Sequence, residues 1–181
     1  MKKALIVTWE KYQDHEVIYP YYALKEHGFD VTLAGGPNLG RIFGILGAHI
    51  VCDILIEDLD PNAVDDYDLL VIPGGVKALE KLRLENHAVT FAKNWVNNNK
   101  ITFVICNGPQ LLITADVLQK RECAGYYAIE SDIKNAGARY NNKVCVDGNL
   151  VSCSHYDFMG EWIRLGIEVY KNYESNSKTL G

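Results

Sequence analysis

Three short stretches of this chain, Ala4-Leu5-Ile6-Val7, Asp68-Leu69-Leu70-Val71-Ile72 and Ile101-Thr102-Phe103-Val104-Ile105, are apolar at nearly every position. A strand with one face in water alternates polar with apolar residues, whereas a short continuous apolar run belongs to a parallel sheet covered on both faces. The segments between these runs carry a different period. From Glu16 to His27, Val17, Ile18, Tyr21 and Leu24 fall on one helical face, and Gly28 closes that helix before a second strand, Asp30 to Ala34. Strand, helix and strand in that order predict an α/β fold with a mostly parallel sheet and helices on both faces. The ligand site of such a fold lies beyond the carboxyl ends of the strands.

The rest of the chain extends the alternation. Leu79, Leu82, Val89, Phe91, Ala92, Trp95 and Val96 predict one or two helices, and Pro109 to Val117 predicts another. Lys143 to Val146 and Leu150 to Ser152 read as strands about an Asp147-Gly148-Asn149 turn, and Trp162, Ile163, Ile167 and Tyr170 mark a final amphipathic helix. The region from Gly35 to Asp66 is less regular, with Ile50-Val51 and Ile54-Leu55-Ile56 as short strand pieces. No repeat or linker divides the 181 residues, so residues 1–181 read as a single domain with a polar tail, 174–181, expected to fray.

Charge and cysteine usage narrow the function classes. Eighteen Lys and Arg against 23 Asp and Glu give a net charge of -5 without any basic run, which predicts neither a nucleic-acid partner nor a membrane one. A small-molecule substrate is the expected partner. The five cysteines, Cys52, Cys106, Cys123, Cys145 and Cys153, show no CxxC spacing, so reduced thiols in the cytoplasm are expected rather than a disulfide framework or a zinc knuckle. Gly35 to Gly40 fits neither GxGxxG nor a Walker pattern, and no metal or cofactor is expected.

One cysteine stands apart. Cys106 ends a buried strand, and Pro109 sits where the first turn of a helix begins, so Cys106-Asn107-Gly108-Pro109 reads as a strand-to-helix elbow. Free N–H groups and the positive dipole end of a helix favour a thiolate there, and the thiolate is the nucleophile. Pro73-Gly74-Gly75 ends another strand at the same edge and lets backbone approach a ligand closely. His155, after the strand that ends near Ser152, is a titratable group at that edge.

Tyr19-Pro20-Tyr21-Tyr22, Leu24 to Gly28, Asp66-Tyr67-Asp68 leading to Val71-Ile72-Pro73-Gly74-Gly75, Cys106 to Leu112, Asn135-Ala136-Gly137 and Val146 to Leu150 occur in an order and spacing that resemble the PfpI/ThiJ family of the class I glutamine amidotransferase-like superfamily. The resemblance covers nearly the whole chain. It implies a flavodoxin-like three-layer sandwich, a homo-oligomer, and activities among glyoxalase, deglycase, amidase or peptidase, chaperone and isonitrile hydration.

It also implies roles for residues. The family nucleophile falls on Cys106, and the N–H groups of Gly75 and Asn107 would form its oxyanion hole. Tyr126 matches a tyrosine near the family's pocket, and Glu80 lies near where some members bring an acid across a subunit interface. Where the family has Cys-His-Gly-Pro, this chain has Asn107 in place of histidine, and the family glutamate of the loop after the first strand is placed at Gln13. On that reading Gln13 donates a permanent hydrogen bond to the sulfur but exchanges no proton, and Asn107 offers no base, so His155 is the candidate replacement. The function expected is a cysteine-dependent enzyme acting on a small electrophile (carbonyl, imine, amide or isonitrile; lyase, hydratase or hydrolase type), with little glyoxalase or deglycase activity. The alternative is a non-catalytic redox-sensing or chaperone-like stress protein.

Overall fold

The computed structural model describes residues 1–179, with side chains described as far as 175. The elements in chain order are β1 (Lys2–Val7), α1 (Asp14–Glu26), β2 (Phe29–Gly35), β3 (Gly40–Phe43), β4 (His49–Cys52), β5 (Ile54–Leu55), β6 (Leu69–Ile72), α2 (Val76–Leu82), α3 (Asn86–Asn97), β7 (Ile101–Ile105), α4 (Pro109–Thr114), β8 (Glu122–Ala124), α5 (Glu130–Asn135), β9 (Arg139–Asn141), β10 (Val144–Asp147), β11 (Leu150–Cys153) and α6 (Met159–Thr179). Seven strands form one sheet in the order β10-β11-β7-β6-β1-β2-β5, in which only β10 runs antiparallel to its neighbour. This is an α/β flavodoxin-like fold.

The apolar runs occupy the middle of that sheet. Ala4 to Val7, Leu69 to Ile72 and Ile101 to Ile105 are buried at every position, as strands covered on both faces must be. Helix α1 packs with α6, while α2 and α3 pack with α4. Two tryptophans pin helices to the sheet: Trp95 Nε1 donates to the Ile101 carbonyl at 3.1 Å and Trp162 Nε1 to the Val151 carbonyl at 3.0 Å. Each indole buries its apolar body while its polar edge is satisfied by strand backbone.

The connection order places the site. From β1 the chain winds outward through β2 to β5, then crosses back to β6 on the other side of β1 and winds the opposite way through β7 to β11. The winding reverses between β1 and β6, and the loops at their carboxyl ends diverge to leave a crevice.

Several elements differ from the sequence expectation. Residues 40–52 form a β3–β4 hairpin outside the main sheet, and Gly40–Phe43 was not expected as a strand. Helix α4 ends at Thr114 rather than Val117, and β8, α5 and β9 were not anticipated, their polar sequences showing no clear period. Helix α6 carries the chain past Glu174 to Thr179, where polar composition pointed to fraying, and residues 180–181 of that tail lie outside the described residues. No helix among the described residues is long and apolar enough to cross a membrane.

Candidate active site

Cys106 follows β7 directly and adopts φ 60°, a left-handed conformation uncommon for a residue with a side chain. Three backbone hydrogen bonds hold it: its N–H donates to the Cys153 carbonyl at 2.9 Å, its carbonyl accepts from the Tyr126 N–H at 2.8 Å, and the Gly108 N–H donates to Ile105 at 2.8 Å. Pro109 then opens α4. The elbow read from the sequence is present, and its strained centre is over-determined by the strands on either side.

The two glycines after β6 close on it. A Cβ on Gly74 would lie 2.3 Å from Glu16 Oε2, 2.7 Å from Cys106 Cβ and 3.0 Å from the Asn107 nitrogen, so only glycine fits between those groups. Gly75 has φ 105°, and a Cβ there would lie 2.6 Å from the Gln13 nitrogen. The turn thereby brings the Gly75 N–H to the Cys106 sulfur, where it joins the N–H of Asn107. The oxyanion pair expected from Gly75 and Asn107 converges on the thiol.

The acidic partner differs from expectation. Glu16, fully buried in the first turn of α1, places its carboxyl group against the Cys106 thiol. Its Oε2 accepts from the Gly74 N–H at 2.8 Å, and Oε1 is buried with no other hydrogen-bond partner. Gln13 is not the residue beside the sulfur. It is the N-cap of α1, its backbone N–H donates to the Gly74 carbonyl, and its side-chain amide lies 3.2 Å from His15 Nδ1. An acid is therefore retained, in the first turn of α1, three positions from where the resemblance put it.

The electrostatics follow from two buried acids sharing one site. Burial raises the Glu16 carboxyl from 4.5 to about 7, with the hydrogen bonds from Cys106 and Gly74 pulling the other way. Burial, then the Glu16 charge, push the Cys106 thiol well above its ordinary range, opposed by the Asn107 and Gly75 N–H groups. This reverses the simple expectation of a thiol lowered by a helix N-terminus, because desolvation and a like charge outweigh it. Two adjacent buried anions repel, so the pair retains one proton through neutral pH. A thiolate forms when that proton rests on Glu16.

The other expected residues take different places. Asn107 is buried, with its Oδ1 accepting from the Cys106 Sγ at 3.5 Å. Tyr126 sits at the mouth, its ring 6.2 Å from that of His155 and 4.4 Å from that of Tyr127. The His155 ring lies 3.9 Å from that of Tyr156, tilted by 36°, and its Nδ1 lies 3.1 Å from Asp157 Oδ2. No hydrogen bond joins it to Cys106 among the described residues, so it borders the site and does not contact the sulfur. Glu80 is exposed on α2.

A buried acid, a thiol in a strained elbow and two converging backbone donors thus meet at the switch point of a doubly wound sheet. The DJ-1/PfpI family pattern covers residues 2–168. This chain belongs to the DJ-1/PfpI family. The deglycase PfpI of Pyrococcus furiosus is 37% identical over 170 residues, spanning 93% of this chain and 99% of that one. The putative cysteine protease YraA of Bacillus subtilis is 33% identical over 171 residues, spanning 94% and 99%. Among solved structures, a two-domain protein with DJ-1/ThiJ/PfpI-like and ferritin-like domains from Anabaena variabilis superposes with a TM-score of 0.86 at 29% identity, covering 93% of this chain and 48% of that one. Schizosaccharomyces pombe DJ-1 shares the fold, with a TM-score of 0.81 at 16% identity over 99% of this chain and 98% of that one. The site and these relatives fit a cysteine-dependent enzyme of the family.

Proposed function

We propose that the protein is a cysteine-dependent hydrolase of adducts formed by small carbonyl compounds, with Cys106 as nucleophile and Glu16 as its proton carrier. The observation that carries this reading is the Glu16 carboxyl buried against the thiol, with the Gly75 and Asn107 N–H groups on the same sulfur. With the proton on Glu16, the thiolate adds to the electrophilic carbon, the carbonyl π electrons move onto oxygen, and that oxygen takes the Glu16 proton. The carboxylate so formed moves the proton of the sulfur-bearing carbon to the neighbouring carbonyl carbon, which leaves a 2-hydroxyacyl thioester on Cys106, and water then cleaves the carbon–sulfur bond to release the 2-hydroxy acid and the thiol; an adduct first sheds its amine or thiol as its carbonyl re-forms. The raised Glu16 value of about 7 suits such exchange near neutral pH. Relatives named deglycases support this substrate class over an amide or isonitrile.

Asn107 contributes an N–H and no base. We assign His155, with Tyr126 at the rim, the exchange of protons with bulk water. The alternative of a non-catalytic redox-sensing or chaperone-like protein draws on the loss of both family proton carriers; Asn107 still stands in place of the histidine, while the buried Glu16 carboxyl beside the thiol favours the enzymatic reading. Self-association belongs to the same proposal: Tyr19, Tyr22 and Leu46 expose apolar surface along a groove of ≈ 760 Å³ on the outer side of α1, and size-exclusion chromatography is expected to return more than one chain.

Given methylglyoxal, or its preformed hemithioacetal with N-acetylcysteine, the protein is expected to turn over. Glu16→Gln should lose a factor of roughly 10² to 10⁴ and Cys106→Ser at least as much. Undiminished turnover in Cys106→Ser would refute the assignment.

A further inference from the structure

Beside the elbow lies a cleft of ≈ 260 Å³ whose walls include Tyr126, Tyr127, Tyr140 and Phe158, with His155 and the Asp157 carboxylate at one side. It is smaller than the roughly 300–1,000 Å³ of pockets that enclose a drug-sized ligand, so it suits one functional group of a substrate. Its first wall is tied to the reacting centre, because the Tyr126 N–H donates to the Cys106 carbonyl. Neither lysine nor arginine lines it, and its carboxylate is the only fixed charge.

We propose that this cleft is a cation subsite, which holds a compact alkylammonium group on the substrate whose electrophilic carbon meets Cys106. Aromatic rings present a negative face, and several rings around one small space attract a cation more strongly than one ring does. An aromatic wall alone would equally take a neutral apolar group; the Asp157 charge at its edge selects for the cation. An alkylammonium fits better than a guanidinium. A guanidinium is best bound by both oxygens of a carboxylate, whereas Asp157 Oδ2 already faces His155 Nδ1 at 3.1 Å. The link between cleft and carbon rests on the enzymatic reading above; the cation site itself does not.

The test separates the two. Choline and its uncharged carbon isostere, 3,3-dimethylbutan-1-ol, are titrated into the intact protein while the aromatic ring resonances of the tyrosines are followed by NMR. Choline is expected to shift Tyr126, Tyr127 and Tyr140 saturably, and the isostere to bind about tenfold more weakly. Tyr127 is 71% exposed, so its replacement leaves the core intact. Tyr127→Leu and Asp157→Asn should each weaken choline severalfold, whereas Tyr127→Phe, which keeps the ring, should not. Cys106→Ser should bind choline as wild type does, so a failure of turnover leaves this reading measurable. Equal binding of choline and the isostere, or no saturable shift with choline, overturns the proposal.

Discussion

Replacing Glu16 by glutamine tests the centre of the site through stability, independently of any substrate. The carboxyl rises from 4.5 to about 7 in the folded protein because it is buried. A raised acid means that the folded state holds its proton over a range where the unfolded chain has released it. The contribution is therefore fully present below about pH 4.5 and lost as pH rises through 7. A shift of roughly 2.5 pKa units at 1.36 kcal/mol per unit corresponds to about 3 kcal/mol. Glutamine keeps the shape and can still accept from the Gly74 N–H and donate to the sulfur, but it does not titrate. Urea unfolding of wild type and Glu16→Gln at pH 4.5 and pH 8 should show the variant gaining about 3 kcal/mol on wild type between the two. Titrating groups that do not touch Glu16 cancel in that difference, while the Cys106 thiol, eased by loss of its acidic neighbour, adds to it in the same direction. Curves that stay parallel within about 1 kcal/mol would show that Glu16 is not held in a buried, proton-sharing site.

Substoichiometric iodoacetamide with peptide mass mapping should label Cys106 before Cys52, Cys123, Cys145 and Cys153. Burial raises all five thiols, so the ranking rests on geometry: Cys106 alone ends a strand at the helix elbow, with the Gly75 and Asn107 N–H groups on its sulfur and the buried Glu16 carboxyl placed to take its proton. Thiolate absorbance against pH should move to lower pH in Glu16→Gln, which removes a like charge, and stay unchanged in Gln13→Ala, whose side chain faces His15. Gly74→Ala should cost roughly 1–3 kcal/mol in unfolding experiments and slow alkylation of Cys106, since the added methyl enters space held by Glu16 and Cys106. An alanine variant with wild-type stability and alkylation rate would show that the three groups are not so closely packed.

The sheet was legible because its central strands are buried on both faces, which forces a sequence signature that no surface strand shares. Residues 35–66 were less so, since the β3–β4 hairpin leaves one side to solvent and its pairing is specified by turns rather than by a continuous apolar run. The elbow was legible for a related reason: a strand ending directly in Cys-Asn-Gly-Pro has few ways to continue. The acid lies at Glu16 and not at Gln13 because the buried face of α1 includes Glu16, whereas Gln13 precedes the helix. Glu16, Pro20 and Leu24 succeed one another at four-residue spacing, and all are buried with Val17 against the sheet. A carboxylate on that stripe is the informative signal, because glutamate is rarely buried whole without a partner that justifies it. Gln13, at the N-cap before the helix begins, lies outside that stripe, and the backbone turn there directs its amide to His15. His155 reaches the expected edge of the sheet without a hydrogen bond to Cys106: strand position fixes which edge a residue reaches, while the direction of its ring is set by Tyr156 and Asp157 in the following turn and by Tyr126 across the site. The position of the acid thus follows helical periodicity, whereas the orientation of the histidine follows the turn after it, where the Asp157 N–H donates to its Nδ1, together with the non-local ring of Tyr126.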